Sequence, residues 1–190
     1  MLRKLGTPRK VQDFLNAIPI NYERGGETCL SPLMVLRRNR AQCIEGAMLA
    51  ALALAMHGEP PLLLDLRTTA DDIDHVVAPF RAHGRWGAIS KTTHAVLRYR
   101  EPVYRDVREL VMSYFHEYFL DNGKKTLRQY SDPFDLRRWP GEWATSTEPL
   151  WDLQHALDRS PHHDLLTRAQ IARLRRADAI ERRAGKLKER

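Results

Sequence analysis

Two residues of this chain are of types that together carry out acyl-transfer chemistry: Cys43 and, thirty-two positions later, His75. A thiolate attacks a carbonyl carbon, while an imidazole takes the thiol proton and later hands it to the leaving group. Cys43 has the setting for this. The run Arg40-Ala41-Gln42-Cys43-Ile44-Glu45-Gly46-Ala47 enters an alanine- and leucine-rich stretch closing on Met56-His57-Gly58, so Cys43 stands at a helix N-terminus. Unpaired N–H groups and the positive dipole end there favour thiolate over thiol and predict a lowered pKa. Arg40 adds positive charge near the sulfur, and Glu45 satisfies N–H groups of the first turn. Cys29, in a glycine-rich loop before Ser31-Pro32, reads as structural. The plainer alternative for Cys43 is also open, since a cysteine in an alanine-rich helix is commonly a small buried hydrophobe.

The elements that would position this pair follow from punctuation and period. Thr7-Pro8 reads as N-cap and first turn of a helix with Val11, Phe14, Leu15 and Ile18 on one face. Ser31-Pro32 opens a second helix through about Leu36, and the Cys43 helix ends at Gly58 before Pro60-Pro61. The period then changes. Leu62–Leu66 is a short apolar strand, His75–Phe80 a second in which Pro79 signals an edge or bulge, and Arg85–Ser90 a third after the turn Ala82-His83-Gly84. Beyond Pro102, Val103, Val107, Leu110, Val111, Tyr114, Phe115 and Tyr118 predict one long helix ended by Gly123. Tyr130 to Pro149, with Pro133, Pro140, Trp139 and Trp143, predicts an irregular wrap. Thr167 to Gln170 is a capping box opening a basic C-terminal helix.

A helix bearing Cys, a strand opening with His, a glycine hairpin and a strand bearing Trp: in this order the chain resembles the transglutaminase-like superfamily over roughly residues 38–91. The family's Cys-x-acidic-x-Ala helix start is matched by Cys43, Glu45 and Ala47, its histidine strand by Asp74-His75-Val76-Val77, and its Trp strand by Trp86 to Ser90. The resemblance implies an α+β fold with an antiparallel sheet packed on a central Cys-bearing helix, a papain-like core with extra helices. It also implies Cys43 as nucleophile, His75 as base and then acid, and the backbone N–H of Cys43 as an oxyanion donor. The implied reaction is amide hydrolysis or acyl transfer through a thioester, on a peptide or protein substrate. Two departures stand out. Ala41 replaces a usual Gly, and Ser90 holds the place of the third catalytic residue, usually Asp. A serine hydroxyl orients an imidazole but brings no charge to hold the imidazolium. Asp65, Asp74 and His94 are the candidate substitutes, and a catalytically inactive member that binds a peptide or protein partner is the alternative.

The remaining calculus is compositional. Of a net charge of +7 over 190 residues, Thr167 to Arg190 carries most, with nine basic residues against three acidic ones. That tail predicts a solvated helix laid on the body, with nucleic-acid binding as a lesser alternative because no recognition motif accompanies it. The expected organisation is a transglutaminase-like domain over 1–150 and a basic extension over 151–190. No cofactor or metal is expected: Leu120 stands where a zinc helix starting at His116-Glu117 would need its second His. His162-His163 reads as a solvated loop, and Gly25-Gly26 lacks the Gly-Lys-Ser/Thr of a phosphate loop. Two cysteines make no disulfide framework, the longest apolar stretch is too short to span a bilayer, and no leader pattern opens the chain, so a cytoplasmic setting is expected.

Overall fold

Thr7 and Ser31 each cap the helix they precede, their side chains accepting from Lys10 N (3.3 Å) and Met34 N (3.2 Å). In the computed structural model, which describes residues 1–189, these open α1 (Pro8–Ala17) and α2 (Pro32–Arg38). Helix α3 (Cys43–Ala55) follows, almost wholly buried, and ends where Gly58 takes a φ of 88°. Then come β1 (Leu62–Arg67), β2 (His75–Ala82) and β3 (Arg85–Ile89), the last two joined by His83 and Gly84, both left-handed, as a two-residue hairpin requires. Among the described residues the fold is mixed α+β, with seven α-helices and a seven-stranded sheet in which every pairing is antiparallel.

Four of those strands lie beyond the three that the sequence marks out. Val103, read as the start of a long helix, lies instead on β4 (Arg100–Tyr104), and the helix is confined to α4 (Val107–Phe115). Asp106 sets that boundary by capping Glu109 N at 2.8 Å. The wrap from Tyr130 contains two short strands, β5 (Gln129–Ser131) and β6 (Phe134–Asp135), both paired with β1. Helix α5 (Trp151–Asp158) leads to β7 (His162–Asp164), which pairs with β5, so His162-His163 is strand rather than solvated loop. The basic tail is two short helices, α6 (Arg168–Ile171) and α7 (Ala179–Gly185), not one. Between them Ala177 is buried and its N–H is bound by Gly123 O at 2.9 Å, which forces the break.

The sheet order β4-β3-β2-β1-β5-β7 separates two apolar layers. On one face α3 packs with α1, α2 and α5 over Leu63, Val76, Ala78, Phe80 and Ile89. On the other, α4 packs over Leu64, Leu66, Val77 and Ala88. Leu153 and Leu157 of α5 are fully buried in the α3 layer, so the boundary expected at residue 150 falls within a shared core. The ladder of β1 on β2 covers Leu64–Leu66 against Val77–His75, and Pro79 stands beyond it, where its missing N–H breaks no bond to β1. No helix among the described residues is long and apolar enough to cross a membrane.

Candidate functional site

Cys43 is the first residue of α3 and His75 the first of β2, so both stand at the ends of their elements. The period of two puts His75 on the Val77 face of the sheet, away from the face that α3 covers. Both nonetheless line one cavity of about 990 Å³.

The approach to Cys43 is fixed by a buried carboxylate. Glu45, in the first turn of α3, accepts from Gln42 N (2.8 Å), Leu30 N (2.9 Å), Thr28 Oγ1 (2.6 Å) and Asn21 Nδ2 (3.2 Å). One side chain thus ties the helix start to two preceding loops, more than the capping its position predicted. Gln42 Nε2 donates to Thr28 O (2.7 Å) and Glu23 Oε1 (3.1 Å), which turns its Oε1 toward the sulfur. Cys43 Sγ donates to that oxygen at 3.7 Å.

Behind His75 stands Ser90, with its Oγ 2.8 Å from Nε2. The same Oγ lies 2.6 Å from Leu97 O, a carbonyl that can only accept. The single hydroxyl proton is therefore committed to Leu97, so Ser90 must accept from His75, and Nε2 carries the imidazole hydrogen. Nδ1 is left with its lone pair. Leu97 presents that carbonyl from a left-handed backbone (φ 60°), an uncommon conformation for a branched side chain. Ser90 is itself clamped by Gln12 of α1, whose amide accepts from Ser90 N (2.9 Å) and donates to Ser90 O (2.8 Å). The next residue, Lys91, is buried and its Nζ donates to Leu15 O (2.9 Å) and to Ile18 O, closing the C-terminal end of α1. Its stem crosses Gly46, where a Cβ would sit 2.5 Å from Lys91 Cβ.

Burial reverses the acidity expected from the helix position. Desolvation pushes the Cys43 thiol up from its ordinary value; the N–H groups of Val76 and Ile44 pull the other way, and the charges of Asp65 and Glu45 push with burial. Desolvation also drives His75 down to about 4, with the nearby His94 adding to it. The resting pair is neutral thiol and neutral imidazole, not thiolate and imidazolium. Among the described residues no hydrogen bond joins Sγ to the ring.

The other candidates are occupied elsewhere. Asp74 Oδ1 accepts from Thr68 N (2.7 Å) and Thr68 Oγ1 (2.9 Å). Asp65 is buried against His162, Oδ2 to Nε2 at 3.0 Å, and burial raises its carboxyl to about 6. His94 Nδ1 faces Gly185 O at 3.3 Å. Arg40 is exposed, away from the cavity lining. Cys29 is buried with Sγ donating to Leu150 O at 3.5 Å, and burial pushes its thiol to about 12, which fits a structural role. Among the described residues no group of three or more His, Cys, Asp or Glu is arranged to hold a metal ion.

Gln12, Gln42 and Leu97 were not visible as site residues. Gln12 carries one signal: it interrupts the run between Val11 and Leu15 on a helix whose burial is otherwise apolar, with only 6% of its surface exposed. The far wall of the cavity comes from the tail. Residues 187–189 run antiparallel to 93–95, with Ala95 N on Leu187 O and Glu189 N on Thr93 O, both 2.8 Å. Arg98 ion-pairs with Glu189 at 2.9 Å and Tyr22 Oη donates to Glu189 O at 3.2 Å, so two further contacts fasten the tail to the body. Compared with protein-family models and with curated proteins, the chain matches none.

Proposed function

We propose that this chain is a cysteine-dependent acyl transferase or amide hydrolase of transglutaminase-like type, with Cys43 as nucleophile, His75 as base and then acid, and Ser90 as the group that orients the ring. The observation that carries this reading is the committed hydroxyl of Ser90. It holds the hydrogen on Nε2 and leaves the lone pair of Nδ1 free, on a residue that lines the same cavity as Cys43. A pair that is neutral at rest reacts by coupled transfer. The thiol proton passes to Nδ1 as sulfur bonds to the substrate carbonyl carbon, and the carbonyl π pair moves onto oxygen, where the Cys43 N–H is a donor. Collapse of that intermediate breaks the C–N bond, and the amine leaves with the proton from Nδ1. Water or a second amine then attacks the thioester, giving its own proton to Nδ1, and the restored thiol recovers it. For this the sulfur must exchange Gln42 Oε1 for Nδ1.

The alternative is a member of the same fold without catalysis that binds a peptide or protein in the cavity. The thiol's bond to Gln42 Oε1 and the absence, among the described residues, of a carboxylate on His75 favour it. Alkylation by iodoacetamide separates the two. The catalytic reading expects Cys43 to be modified selectively over Cys29, with the rate falling at least about tenfold in His75→Ala and measurably in Ser90→Ala. Modification of Cys43 at equal rates in all three proteins refutes it.

A further inference from the structure

The cavity's tail wall carries cations that the chemistry above does not use. Arg182, Lys186 and Lys188 line it. Lys186 Nζ is 3.7 Å from Asp121, but among the described residues neither Arg182 nor Lys188 makes an ion pair. Arg182 is the more telling, because its Nε is buried and has no hydrogen-bond partner. That nitrogen is withdrawn from water without an acceptor, which is costly, and the half-buried side chain makes no hydrogen bond among the described residues, so its fork is free to receive one. The acids of the cavity are engaged elsewhere. Asp72 accepts from Thr126 Oγ1 and Ile73 N, Asp74 from Thr68, and Glu117 pairs with Arg100. Lys91, the remaining lysine of the lining, is tied to carbonyls of α1.

We infer that the acyl substrate of this site carries a carboxylate that the Arg182 guanidinium receives, with Lys188 adding charge at the rim. This rests on the reading of Cys43 as nucleophile. A volume of about 990 Å³ leaves room for a short peptide reaching from the sulfur to that wall. The planar fork of arginine matches a carboxylate with two parallel bonds, a geometry lysine cannot copy. The tail's charge thus faces the cavity in part, so its function is to select the substrate.

Two alkylating reagents of nearly equal size, each the length of a short peptide, test this: bromoacetyl-glycyl-glutamate (anionic) and its diamide (neutral). Their rate ratio at Cys43 is compared with the ratio on a short cysteine peptide. The inference expects the anionic reagent to be favoured at Cys43 relative to the cysteine peptide, by about tenfold, with the preference falling toward the peptide value in Arg182→Gln. The same ratio in wild type, Arg182→Gln and the peptide overturns the inference while leaving the nucleophile intact. If neither reagent modifies Cys43, the nucleophile reading fails. The cation wall is then judged by calorimetric titration of N-acetylglutamate into the Cys43→Ala protein. Binding that weakens about tenfold in the added Arg182→Gln change upholds it, and no binding ends it.

Discussion

Acid should destabilise this protein through His75, and by a calculable amount. The ring is buried and held near 4 instead of its ordinary 6.5, so between those values the unfolded chain takes up a proton that the native chain refuses. The sign follows. The contribution of His75 to stability is full above 6.5 and is lost as pH falls through that value toward 4. Over that interval the loss amounts to about 3 kcal/mol. Asp65 acts in the opposite direction. Its carboxyl is raised from 3.8 to about 6, so its contribution is full below 3.8 and is lost as pH rises through 6. A single pH profile would blend the two. The difference between wild type and His75→Gln isolates the ring, because glutamine can still donate to Ser90 but does not titrate, and Asp65 is common to both. Urea unfolding at steps from about pH 7 to about pH 4 would give the two stability curves. The wild type should lose about 3 kcal/mol more than the variant across that range. Parallel curves would show that His75 titrates alike in folded and unfolded chains. The desolvation of the ring would then have no basis.

Two further outcomes follow from contacts around the site. Gly46→Ala would put a methyl group 2.5 Å from Lys91 Cβ, both near the backbone, so the loop after Ser90 or the first turn of α3 must move. The expected loss is about 1–3 kcal/mol, read as a lower melting temperature with slower alkylation of Cys43. His162→Phe leaves Asp65 buried without its imidazole partner, and should cost about 3 kcal/mol near neutral pH. The cost should shrink in acid, where the carboxyl is protonated; an equal loss at both pH values would show that no charge is involved.

The parts of the fold that punctuation controls were readable from the chain. Thr7-Pro8, Ser31-Pro32, Gly58 and His83-Gly84 announce their helix starts, helix end and hairpin by conformational necessity, and each lies where it was expected. Strand β4 was not readable, because Val103 and Val107 fall four apart and imitate a helix face across what is a strand-to-helix junction. The tail misled for a related reason: a capping box at Thr167 fixes where a helix begins but not where it ends, and the bond that keeps Ala177 out of one continuous helix comes from Gly123, 54 residues earlier. In the site, the order of Cys43, His75 and Ser90 was local information. The contacts that set its protonation were not. His162 finds Asp65 across 97 residues, and Gln12 finds Ser90 across 78. Burial decided the acidity of Cys43 against its helix position, and a sequence window does not reveal what lies above a side chain.

The pairing of residues 187–189 with 93–95 has a consequence for how the protein is made. Synthesis is vectorial, and a ribosome that has released the first 150 residues has delivered the thiol, the imidazole and the hydroxyl. It has not yet delivered the strand that joins β5 or the segment that fences the opening. A chain extended only through residue 150 therefore holds all three groups without the wall that Arg182, Gly185, Lys186 and Lys188 supply.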